Sequence, residues 1–169
     1  MTTSDSIIDQ LAALDQAESQ FRSENIKFGI RYRMRSGKTI LNHTRFLGYT
    51  KGPDDVLQIV PEEAKIVRMI FDLYVQRNGV RKIKKYLESH GIKTVTGKSE
   101  WSSSTIDQML SNEKYVGQVL MQKTYISDFL TGIKEKNRGQ LEMYLVENAH
   151  DPIIDREIFD RVQEMKGHI

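Results

Sequence analysis

The chain of 169 residues contains no cysteine, which excludes disulfides, thiol catalysis and any zinc site with sulfur ligands. It also has no apolar run long enough to span a membrane, and MTTSDSIIDQ lacks the basic start of a secretory signal. A soluble intracellular protein follows as the expectation. Internal repeats and low-complexity tracts are absent too. The length fits one domain, or one domain plus an appendage.

A further absence is local. Between Ile26 and Gly52 there is no acidic residue, while Lys27, Arg31, Arg33, Arg35, Lys38, Arg45 and Lys51 all fall there. Residues 1–25 show the reverse, with Asp5, Asp9, Asp15, Glu18 and Glu24 against a lone Arg22. The net charge is only +2, so the total hides the pattern. A solvated helix face usually mixes both signs; a block of one sign points instead to a polyanionic partner.

Signals for catalysis are equally thin. GKT at 37–39 and GKS at 97–99 lack the earlier glycine of a phosphate loop: the required positions hold Tyr32 and Ile92. His43, His90, His150 and His168 show no ligand-like pairing, so no metal site is expected. The carboxylates Asp54, Asp55, Glu62, Glu63, Asp151 and Asp155 stand at a turn or at helix starts, where they serve as caps. They single out no acid–base pair, and a metal-dependent nuclease rests on them alone. Ser102, Ser103 and Ser104 have no nearby base and no G-x-S-x-G elbow around them. No catalytic residue and no cofactor is assigned.

What the chain does have is periodicity. Ile7, Leu11, Leu14, Glu18, Phe21, Asn25, Phe28 and Tyr32 follow a 4-3-4-3 spacing, which predicts one long helix capped by Ser4 and ending near Ser36-Gly37. LGYT and LQIV around GPDD predict a hairpin. Pro61 then opens a helix with Ala64, Val67, Ile70, Phe71 and Tyr74 on its core face. Val80, Ile83 and Leu87 define another helix that stops at Gly91 and turns Arg81, Lys82, Lys84 and Lys85 outward. After the polar loop KTVTGKSE and Trp101, Ser104 with Asp107 fits a capping box before Ile106, Met109 and Leu110. YVGQVLMQKTYI and EMYLVEN read as strands flanking a loop with Lys134, Lys136 and Arg138. A last helix places Ile158 and Val162 inward. Two helices, a loop, a short hydroxyl-started helix and a β-ribbon with a basic tip make an expanded winged helix-turn-helix. The alternative at this level is a helical scaffold with a basic face.

Several stretches, in order and at matching spacing, carry a family resemblance. QAESQFRSENIKFGIRYRMRSGK, the segment from LGYTKGPDD to GIKTVTGK, STIDQMLSNEKYVGQVLMQKTY, KNRGQ and HDPIID resemble the central DNA-binding part of the large serine recombinases. The likeness runs from about Ala17 to about Gly167. It implies an α+β, mainly helical fold: a connecting helix over 1–36, then a winged-helix-like domain over 37–169 with a small antiparallel sheet. It further implies site-specific binding of duplex DNA by a cytoplasmic, nucleoid-associated bacterial protein. Full-length relatives carry a catalytic serine domain before this part and a zinc-binding domain after it. Neither has a counterpart here, so this chain alone is not expected to be an enzyme.

Within that reading, Arg31, Arg33, Arg35, Lys38 and Arg45 track the DNA backbone, with the linker after Gly37 in the minor groove. The helix from Ser102 to Leu110 enters the major groove and turns Ser102, Ser103, Thr105 and Gln108 outward; Gln108 can pair with adenine. Lys134, Lys136 and Arg138 contact flanking phosphates. Tyr49, Phe71, Trp101 and Tyr115 are packing residues. A second reading makes the helix over 7–32 a protein-interaction module, joining a second copy or an intact recombinase, with DNA binding vestigial.

Overall fold

The computed structural model describes residues 3–36, 41–128 and 130–167; Gly37, Lys38 and His168 lie outside them. The expected class is what the chain adopts: mainly helical, with a long first helix and small antiparallel ladders. The helices are α1 (Thr3–Arg35), α2 (Pro61–Val75), α3 (Val80–Ser89), α4 (Ser103–Leu110) and α5 (Arg156–Gly167). The strands are β1 (Tyr49–Lys51), β2 (Leu57–Ile59), β3 (Val119–Met121), β4 (Thr124–Asp128), β5 (Ile133–Lys136) and β6 (Tyr144–Val146). They form three two-stranded pairs, β1 with β2, β3 with β6 and β4 with β5.

Two compact units arise. One gathers Met1–Thr39 with Leu120–Tyr144; the other gathers Ile40–Val119 with Leu145–Ile169. The second holds the core. Val60 is the extended cap residue of α2, Pro61 takes the first turn and Glu62 and Glu63 follow, so the helix starts where a missing N–H costs nothing. Glu63 also reaches back to accept the Gly48 amide at 2.8 Å, tying the β1–β2 hairpin to the helix start. All five predicted α2 core residues are buried. Ile83 and Leu87 of α3, Ile106, Met109 and Leu110 of α4, and Phe159 and Val162 of α5 close around them. Ile158 packs at the edge of that cluster rather than inside it.

Tyr49, Phe71, Trp101 and Tyr115 are core residues, as predicted. The polar ends of Tyr49, Trp101 and Tyr115 each donate to a backbone carbonyl. The Trp101 indole donates to the Ile92 carbonyl at 2.7 Å, and the Trp101 amide donates to Glu88 at 2.9 Å. Tyr115 donates to the Leu47 carbonyl at 2.9 Å and Tyr49 to the Asp151 carbonyl at 2.7 Å. Burial pushes both phenols well above their ordinary range, so both stay donors.

The first unit pairs α1 with the β4–β5 hairpin. Helix α1 begins at Thr3, so Ser4 lies inside it and not at its cap. Thirty-three residues give a rod about 50 Å long. Its predicted seam is solvent-facing: Leu14, Phe21, Phe28 and Tyr32 are each more than 60 % exposed. Where the sequence predicts a loop over SDFLTGIKEKNRGQ, its described residues include the end of β4 and all of β5. Asp128 builds the turn, accepting the Leu130 amide and the Thr131 hydroxyl at 2.9 Å each, bonds that hold its carboxyl below the usual range. Ile133–Lys136 then returns as β5, with Lys134 opposite Ile126 and Lys136 opposite Thr124. Asn137 is buried at the base, donating to Gln122 and Leu141 carbonyls and accepting the amides of Gly139 and Leu141.

His150 is a buried titratable group of the second unit. Its Nε2 donates to the Lys114 carbonyl and its ring meets Tyr49 edge-on at 4.9 Å. Burial lowers its pKa. The unfolded chain therefore takes up a proton below about pH 6.5 before the folded chain does. Stability is unaffected above that pH and is lost as pH falls from it through the lowered folded value. In urea melts, the midpoint is expected to drop more steeply between about pH 6.5 and 5 for the wild type than for His150→Asn. Parallel slopes would mean that His150 binds protons alike in both states.

Candidate nucleic-acid interface

Helix α4 is aimed by its buried side. Ile106, Met109 and Leu110 face the core, so Thr105 and Gln108 must face outward, three residues apart on one surface. Ser102 is the cap residue, extended, and makes no side-chain capping bond; its hydroxyl meets that of Ser104 at 2.7 Å. The predicted box of Ser104 and Asp107 does not form. Ser104 is already helical, and Asp107 is taken by Lys166 of α5, whose ammonium lies 2.9 Å from its carboxylate. Lys166 also bonds the Asp107 carbonyl and the Ser111 hydroxyl, and Gln163 donates to the Leu110 carbonyl at 2.6 Å. These α5 side chains satisfy the α4 C-terminus and fix its rotation.

Outward from that anchored helix is a groove of about 170 Å³. Arg45, Thr105 and Gln108 line it together with Thr94, Val95 and Asn112, over a floor that includes Trp101 and Met109. Three predicted contacts thus meet in one place: a cation, a hydroxyl and an amide able to make paired hydrogen bonds. Ser102 is exposed and Ser103 half-buried, and neither lines this groove.

The first unit brings together a different set. Arg31 of α1 and Lys134 of β5 line a groove of about 190 Å³ with Lys27, over apolar Ile30, Met34, Ile126 and Leu141. Lys136 shares the strand face of Lys134, two residues on, and Arg33 and Arg138 are exposed. Lys134 and Lys136 lie on a strand, not at a loop tip. Arg35 is already engaged: it donates to the Tyr144 hydroxyl at 3.3 Å and pairs with Glu142 at 3.4 Å. The hydrogen bond to Tyr144 and then the Glu142 carboxylate raise its pKa, keeping the charge fixed. Lys38 lies outside the described residues.

Sequence reasoning passed over Lys27 as a contact, although it stands four residues before Arg31 on the same helix face. Thr94, Val95 and Asn112 had no such signal, because only the tertiary fold sets the 94–98 turn beside α4. On α3, Lys84 is drawn into pairs with Glu88 and Glu100 at 3.8 and 4.0 Å. Among the described residues no cluster of three or more His, Asp or Glu is placed to hold a metal.

Comparison with known proteins decides the family. Residues 61–167, well over half of the chain, match the family described as Recombinase. The chain belongs to that family. This recombinase-family chain is also 27 % identical to a candidate DNA recombinase of Bacillus subtilis strain 168, over 92 % of its own length. The uncharacterized protein YbcK of Escherichia coli K12 is 36 % identical over 34 % of the chain. The chain spans 34 % of the length of the first of these relatives and 11 % of the second. Among solved structures, it resembles a large serine recombinase in complex with DNA, with a TM-score of 0.60 at 25 % identity over 85 % of this chain and 38 % of that one. A structure addressing the sequence requirements of the Listeria innocua prophage attP site gives 0.56 at 25 % identity, covering 86 % and 52 %. The resemblance to large serine recombinases read from the sequence is therefore borne out. No helix among the described residues is long and apolar enough to cross a membrane.

Proposed function

We propose that this recombinase-family chain binds duplex DNA sequence-specifically, as the half-site-reading domain of a site-specific serine recombinase, and does not cut DNA by itself. The observation that carries this is the groove uniting Arg45 with Thr105 and Gln108 on the outward face of α4. A short helix held rigidly from behind, with a hydroxyl and an amide in front and a cation beside it, suits major-groove readout. The DNA complex of the similar solved recombinase supports the same class of partner.

In this reading the work divides between charge and shape. Lys27, Arg31 and Lys134 around one groove, with Arg33, Arg35, Lys38, Lys136 and Arg138, supply phosphate contacts that hold the duplex without reading it. Helix α4 supplies base contacts through Thr105 and Gln108, with Ser102 and Ser103 near the helix start. Residues 1–36 act as the connecting helix and 37–169 as the binding domain.

The test is a titration of a labelled random duplex at several salt concentrations. With about five phosphates neutralised, a fourfold rise in salt should weaken binding on the order of a few hundredfold, leaving the duplex uncut. Arg33→Ala should lower the salt slope by about 0.9, whatever the DNA sequence; an unchanged slope takes Arg33 off the phosphates. On a half-site selected from a random library, Gln108→Ala should cost roughly 1–3 kcal/mol, with little effect on random DNA. Equal losses on both would remove Gln108 from base readout.

The exposed seam of α1, with Phe28 at 70 % and Tyr32 at 67 % exposure, favours a second reading as a protein-interaction surface. Sedimentation of the chain across a wide concentration range separates the two. A monomer at the highest concentration rules out self-pairing through α1.

A further inference from the structure

The loop KTVTGKSE carries one feature that the DNA-binding reading leaves unused. Thr94 and Lys98 close it: the Thr94 amide donates to the Lys98 carbonyl at 2.9 Å and the Gly97 amide to the Thr94 carbonyl at 2.8 Å. The Thr94 hydroxyl adds a bond from the Lys98 amide at 3.1 Å and meets the Thr96 hydroxyl at 3.2 Å. Gly97 takes the left-handed conformation, φ +79, that the last residue of a three-residue hairpin loop requires. This turn is therefore fixed by hydrogen bonds.

At its tip stands Val95, an apolar and β-branched side chain that is 38 % exposed. It is not one of the buried core residues. It lines the same groove as Thr105 and Gln108, above Trp101 and Met109. The groove thus places an apolar surface beside an amide suited to adenine. In a DNA major groove the apolar feature of a base edge is the thymine 5-methyl group.

Resting on the DNA-binding reading, we propose that Val95 is a specificity-determining residue that recognises a thymine methyl next to the adenine read by Gln108. The 94–98 turn and α4 together then select an A·T-containing step. Chain stiffness strengthens the case, because χ1 of valine is restricted and the turn backbone is closed. Ordering this side chain on DNA costs little.

Deoxyuridine tests this directly, since it removes the methyl and nothing else. Each thymine of the selected half-site is replaced singly by deoxyuridine, and binding is measured for the wild-type chain, for Val95→Ala and for Gln108→Ala. Wild type should lose about fourfold at one thymine adjacent to the position where Gln108→Ala loses adenine preference, the loss matching one buried methyl-sized group. Val95→Ala should bind thymine and deoxyuridine equally there, yet keep its adenine preference. The exposed turn position allows this substitution without a fold change, which a matching urea midpoint checks. If wild type binds every deoxyuridine site as tightly as its thymine parent, or if Val95→Ala keeps the difference, the role of Val95 is overturned while DNA binding stands. If no duplex binds at low salt, both fail together.

Discussion

Tyr115 is the residue on which the second unit closes. Its hydroxyl donates to the Leu47 carbonyl just before β1. Its own carbonyl accepts the amides of both Ile153 and Ile154 at 2.9 Å. The β1 segment, the exit from α4 and the approach to α5 thus meet at a single residue that is 1 % exposed. Two residues on, Gly117 brings the backbone so close that a Cβ would sit 2.6 Å from the His150 carbonyl oxygen. A left-handed φ of +80 there and that contact leave glycine as the fitting residue. Arg68 closes the other side, donating to the Ile153 carbonyl at 3.1 Å. Backbone groups that would otherwise be buried without partners are satisfied by this knot.

The consequence reaches the surface through α5. Because 149–154 is clamped, α5 starts in one place, and its Gln163 and Lys166 hold the last turn of α4. An eight-residue helix is too short to be stable alone. Tertiary bonds at its end and a buried face of Ile106, Met109 and Leu110 give it both existence and orientation. Recognition by side chains demands that orientation, since hydrogen bonds to base edges weaken steeply with misalignment.

Legibility in the sequence followed the strength of the local signal. Helix α2 was readable because proline, paired acids and a five-residue apolar face all point the same way. The turn outward of Thr105 and Gln108 was readable for the same reason, by subtraction from the apolar face. Failures came where partners lie far apart in sequence. Asp107 looked like half of a capping box until Lys166, 59 positions later, claimed it. Strand β5 was hidden because IKEK has a single apolar residue, and its order comes from the Asp128 turn and from buried Asn137. Arg35 looked like its neighbours, yet Glu142 and Tyr144 already hold it. Val95 sits in a polar loop that carries part of the family resemblance, but nothing local in the sequence set it beside α4.

A net charge of +2 is small for a chain proposed to bind DNA, and the structure shows why the total is the wrong quantity. Acids are spent where they satisfy local structure: Glu63 on the Gly48 amide, Glu88 on the Trp101 amide, Asp128 on its own turn, Asp107 on Lys166. Their charge is committed to backbone or to a partner. Screening over a Debye length of about 8 Å confines each such group to its own neighbourhood. Lys27, Arg31 and Lys134 share one groove with no carboxylate among its described lining residues, and the same holds for the groove of Arg45 in the other unit. A phosphate arriving at either groove meets the local cations and not the chain average. Affinity then depends on where the acids are fixed as much as on where the bases are free.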